Sequence, residues 1–124
     1  MVFVINDEIL EGVMEVVEDD YLDMTDIMSL LREQTDDVPS LLRIAAIVAE
    51  HVVITGRVVP GDLTDEGLIP WPTSPRDSAA RIVAEANSQA DEEREVYPGD
   101  IAWFDLPRRV AARAAGDDPA APRA

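Results

Sequence analysis

The side chains able to do chemistry are few, and their spacing does not favour catalysis. His51 is the only histidine, and there is no cysteine. A lone imidazole acts as a general base when a hydroxyl nucleophile and an orienting carboxylate stand beside it, and the sequence places neither. His51 falls late in an apolar segment, where a packed or hydrogen-bonded role is the plainer reading. All ten basic residues are Arg. Without Lys there is no phosphate-loop lysine, no Schiff base and no Lys-dependent nuclease site. Without Cys there is no disulfide, thiolate zinc site, cysteine nucleophile or iron–sulfur ligation. Gly61 and Gly67 punctuate turns and form no phosphate-binding fingerprint.

The carboxylates are abundant but poorly placed for acid–base work. Asp19-Asp20, Asp36-Asp37 and Glu92-Glu93 are adjacent, and adjacent residues on a helix point apart. A solvated face explains them. Asp62, Thr64, Glu66 and Gly67 match the first, third, fifth and sixth places of a calcium loop. The twelfth place is Thr73, where a bidentate Glu is needed, and Pro70 and Pro72 oppose an exit helix. Two ordinary turns are the expected reading. No catalytic residue, metal ligand or cofactor is expected.

Charge is the stronger signal. Twenty-six acids face ten Arg, for a formal net charge of −16 over 124 residues. Residues 1–40 hold twelve of the acids and one Arg. Such a field repels nucleic-acid phosphates and anionic membranes, and steers basic proteins inward. Acid excess with Arg in place of Lys also arises from a GC-rich coding background or from salt adaptation. In that alternative the chain is a soluble domain with a structural or assembly role. The apolar start Val2–Ile5 meets Asp7 and Glu8 at once, unlike a signal peptide. The longest internal apolar stretch, Ile44–Ala49, is far short of a membrane span. A cytoplasmic protein is expected.

The elements that would carry these groups read as one globular domain over 1–114, with a disordered tail over 115–124. Val2–Ile5 suits an edge strand or a packed extension. Asn6 caps a helix over 7–20, and Thr25-Asp26 caps a second over 25–34, with one bent helix as the alternative. Leu10, Met14, Val17, Tyr21, Met24, Met28 and Leu31 form the apolar stripe, read as core, with a homodimer seam as the alternative. Asp36–Ser40 starts a central helix over 41–55 that Gly56 ends. Short strands follow at Arg57–Leu63 and Leu68–Trp71. Ser74-Pro75-Arg76-Asp77 opens a helix over 75–90. Ile101–Phe104 reads as a strand paired with Leu68–Trp71, and Arg108, Arg109 and Arg113 extend a short basic helix. The class is α+β and mostly α: four helices, two to four short strands. A winged-helix layout fits the order, but the helix that would read DNA offers only Arg43 and His51 as polar donors. DNA binding, and a winged-helix transcriptional regulator with it, is therefore the lesser reading.

Pro60-Gly61-Asp62-Leu63, Pro70-Trp71 and Pro98–Phe104 resemble small uncharacterised acidic proteins of GC-rich bacteria, some of immunity-protein type. The resemblance spans residues 41–107 and implies no catalytic positions. Together with the charge, it favours a non-enzymatic protein that occludes a basic partner, such as a toxin domain. The expected contact residues are Glu11, Glu15, Glu18, Asp19, Asp20 and Asp23, with Trp71 as an aromatic anchor if it is partly exposed.

Overall fold

The computed structural model describes residues 3–116. Its elements are α1 (Asp7–Asp19), β1 (Leu22–Asp23), α2 (Met24–Leu30), α3 (Val38–Ile54), β2 (Val59–Thr64), β3 (Gly67–Pro70), α4 (Pro75–Asp91), β4 (Trp103–Asp105) and α5 (Pro107–Ala114). The class is α+β and mostly α. The four expected helices are present, and the basic segment forms the fifth. The tail expected over 115–124 lies almost wholly outside the described residues.

Local chemistry sets the helix starts. The Asn6 side chain accepts the Ile9 N–H at 2.9 Å, and Ser74 accepts the Asp77 N–H at 3.1 Å ahead of Pro75. Asp37 opens α3, three residues before the expected start, by accepting the Ser40 N–H. Gly56 at φ 75° ends α3 by letting the Arg57 N–H turn back to the Val52 carbonyl. The start of α2 departs from expectation. Asp23, not Thr25, is the cap, in a reciprocal box with Asp26.

Helix α3 is the centre of the core. Its Leu42, Val48 and Val52 are buried, α4 packs along it with Ile82, and α2 packs with Ile27. The buried stripe of α1 is Ile9, Val13 and Val17, one residue ahead of the Leu10 and Met14 expected, which are half-buried. Phe3 and Ile5 pack against the core without forming a strand, the second of the two expected alternatives.

The four strands form one antiparallel sheet in the order β1-β4-β2-β3. The expected pairing of Ile101–Phe104 with Leu68–Trp71 is therefore corrected. β3 is spent on its hairpin with β2, and β4 enters between β2 and β1. Buried Phe104 faces Pro60 on one side and Leu22 on the other. That insertion separates the fold from a winged helix. The hairpin after α3 is present, but β4, which follows α4, stands between it and β1. Among the described residues no helix is long and apolar enough to cross a membrane.

Candidate functional site

Glu8, Glu11 and Glu15 recur along α1 at spacings of three and four, so they share one helix face. The last residue of α2 and the turn after it return past that face and bring up Leu30, Glu33 and Gln34. Together they line a groove of about 330 Å³, with Asn6, Ile9 and Gly12 completing it. Gly12 lets the walls approach: a Cβ there would lie 3.2 Å from a Leu30 methyl. Leu30 is 39% exposed. The result is a mostly polar groove in which four glutamates flank the exposed Leu30 side chain. Among the described residues none of the four takes part in an ion pair. Uncompensated carboxylates around a partly apolar slot suit a guanidinium or ammonium on an aliphatic stem, because the stem can cover Leu30 while the head stays hydrated.

The other expected contact residues divide. Glu18 is exposed but engaged: Arg108 of α5 donates to it at 2.8 Å and holds its carboxyl below the usual range. Asp19 is exposed at the end of α1, while Asp20 is half-buried and accepts the Tyr21 N–H. Asp23 must be withdrawn as a contact residue. It is 2% exposed, and its carboxylate accepts from the Asp26 N–H, the Thr25 hydroxyl and the Gly99 N–H. Its partner in the cap, Asp26, is pushed up to about 6 by burial and by the Asp23 and Asp20 carboxyls, against the Asp23 N–H that favours its charged form.

Trp71 is also withdrawn as an exposed anchor. It is 7% exposed, its indole N–H donates to Asp62 at 3.2 Å, and the Arg81 guanidinium stacks 3.7 Å above the ring. Asp62–Gly67 is a β-hairpin whose tip is Asp65-Glu66, and Thr64 accepts the Glu66 N–H there. His51 lies half-buried near the end of α3, and its side chain makes no hydrogen bond among the described residues. No three carboxylate or imidazole side chains among them converge on a metal-sized space.

Sequence reasoning missed Glu8 and Glu33 as groove residues. Glu8 was legible, since it continues the spacing of Glu11 and Glu15. Glu33 was not, because only the path after α2 brings it across. A buried ionic clamp was missed as well. Arg109 of α5 donates to Asp105 at 3.1 Å, to the Val17 carbonyl at 2.8 Å and to the Glu18 carbonyl. It thereby satisfies carbonyls at the C-terminal end of α1 and fixes the helix that carries the glutamates. Compared with known proteins, the chain matches no described family, and neither a curated protein nor a solved structure is similar to it.

Proposed function

We propose that this is a non-enzymatic binding protein whose α1–α2 groove receives a basic side chain of a protein partner and so occludes that partner's cationic surface. The observation that carries the reading is the ring of Glu8, Glu11, Glu15 and Glu33, free of ion pairs among the described residues, flanking the exposed Leu30 side chain. The role is of immunity or inhibitor type, a toxin domain being the kind of partner with such a surface. The surrounding field raises the encounter rate, and contact with Leu30 lengthens the lifetime of the complex. Glu18 contributes to the field while holding α5, and Asp19 and Asp20 extend it past the end of α1.

The test is a pull-down from host lysate at physiological ionic strength, run in parallel with the wild-type chain and Glu11→Lys/Glu15→Lys. One basic protein retained by the wild type, released by salt and lost with the variant supports the reading. The association rate of the isolated pair then falls about tenfold or more with the variant, and its salt dependence flattens. Equal retention by both chains refutes the groove as the docking site.

A further inference from the structure

The segment Glu95–Ala102 joins α4 to β4 with an unusual backbone. Ile101 has φ of 75°, the left-handed region that a β-branched side chain resists. The Ala102 N–H donates to the Asp100 carbonyl at 2.9 Å, so Ile101 is the middle of a tight three-residue turn. Such a conformation persists only where its surroundings over-determine it. Two sets of bonds do so here. On the α4 side, Gln89 Nε2 donates to the Glu95 carbonyl at 2.9 Å and to the Asp100 carboxylate at 3.3 Å, and that carboxylate also accepts the Tyr97 N–H at 2.9 Å. On the far side, the Gly99 N–H donates to Asp23 Oδ2 at 2.8 Å, across 76 positions of sequence. Gly99 has φ of 88° and lies on the Trp103 indole, where a Cβ would come within 2.8 Å of Nε1.

The geometry points to a strained latch: Glu95–Ala102 is held shut on the β1–α2 junction by the buried Asp23 carboxylate, and its release widens the apolar groove beside it. That groove, about 300 Å³, runs between Met28, Val38 and Leu41, with Glu95 and Val96 of the latch forming one wall. Asp23 is the tether that reaches it from the opposite end of the sequence as a buried charge, and a buried hydrogen bond to a carboxylate is worth more than a neutral one.

The tether sits among titratable groups. Asp26 of α2 shares the cap with Asp23, and the charges of Asp23 and of Asp20, ahead of β1, both bear on Asp26. The latch itself brings Asp100, Glu95 and Tyr97. Arg32, after α2, stands at the groove, and β4 contributes only uncharged Trp103 beside Gly99.

Hydrogen exchange of the full chain, followed by mass spectrometry, tests the latch. Asp23→Asn keeps one side-chain oxygen for the α2 cap and loses the second acceptor. Amides of residues 97–102 then exchange about tenfold faster or more, while those of α3 and α4 stay within about twofold. Ile101→Gly relieves the backbone, so exchange in 97–102 slows even though lost packing lowers global stability. Unchanged exchange of the latch in Asp23→Asn, or acceleration spread equally over α3 and α4, overturns the proposal. Faster local exchange in Ile101→Gly overturns it too.

Discussion

Replacing Arg109 by Ala should be among the most damaging single changes to this protein, although the residue belongs to a short C-terminal helix. Asp105 is 0% exposed, and its carboxylate depends on few donors. Oδ1 accepts the Leu106 N–H at 2.8 Å and Arg109 Nη1 at 3.1 Å. Oδ2 accepts no hydrogen bond among the described residues, and Arg113 Nη1 stands 3.9 Å away. Arg109→Ala removes the closer cation, opens a void, and strips the Val17 and Glu18 carbonyls of their donor. Breaking a buried ion pair from one side costs about 3–5 kcal/mol. Arg113 remains and can move toward Asp105, so the lower end applies, about 3 kcal/mol. Against a total of roughly 5–15 kcal/mol that is a large fraction. Urea unfolding followed by far-ultraviolet circular dichroism reads it directly. With a slope of about 1.5 kcal/mol/M the midpoint falls by about 2 M. The double variant Asp105→Leu/Arg109→Met removes both members of the pair but leaves Arg113 Nη1 without its carboxylate and the Val17 and Glu18 carbonyls without their donor, so it recovers only part of the loss. An Arg109→Ala midpoint within about 0.5 M of the wild type refutes the argument that this pair holds α5 to α1.

Further expectations concern the cap and two glycines. Asp26→Asn keeps an oxygen for the Asp23 N–H but removes a charge held among like charges, so stability at pH 7 rises by about 1 kcal/mol after allowance for exposure. The sign follows from the raised value: the wild-type fold binds the proton more tightly than the unfolded chain, so this contribution to stability is present below pH 4 and is lost as pH rises through about 6. Thermal unfolding at pH 4 and pH 7 therefore separates the two chains only at the higher pH, and equal melting at both refutes the cause assigned. Glu18 and Asp37, held low by Arg108 and by Ser40, act in the opposite direction, weakening the fold as pH falls through their lowered values. Gly61→Ala places a Cβ on the Ile69 carbonyl of the paired strand, and a cost of about 3 kcal/mol or more is expected by chemical denaturation. Gly12→Ala meets only the exposed end of Leu30 and gains helix propensity, so it is neutral or stabilising by up to about 1 kcal/mol. Similar losses for both glycines would refute this distinction.

Which parts of the molecule were legible in the sequence follows from how local their causes are. Ser74-Pro75 and Gly56 act on neighbouring backbone, and both set helix ends where expected. The face of α1 is less local. Its sequence offers Ile9/Val13/Val17 and Leu10/Met14 as rival stripes, and contact with α2 and the sheet selects the first. β1 is two residues long and has no periodicity to read; it exists because β4 pairs with it. The order of strands depends on β4 returning after α4, which no local pattern encodes. Asp23 shows the same limit within one residue. In composition it is one more acid in an acidic run, yet its spacing to Asp26 makes it a cap and Gly99 makes it a tether.

The distribution of arginine bears on whether the acidity is functional. A background excess of acid would leave carboxylates unpaired wherever they fall. Here Arg43, Arg81 and Arg94 pair with acids on and just after α4, Arg108 pairs with Glu18, and Arg109 with Asp105. Pairing thus reaches the last turn of α1 and, as it does for Glu50, Asp65, Glu66 and Glu93, leaves Glu8, Glu11 and Glu15 without an ion pair among the described residues. The nearest cation in sequence, Arg32, lies at the separate groove beside the latch, next to Glu95 and Val96, and not at the glutamates. Those glutamates therefore repel one another along one face, at some cost in stability, with only solvent ions to relieve them. Raising salt stabilises the free chain by screening that repulsion and weakens capture of a cationic partner by screening the attraction. A background-acidic domain would show the first dependence alone. Melting temperature and partner retention, measured over one salt series, separate the two accounts: retention unaffected by salt while stability rises would leave the groove without a cationic guest.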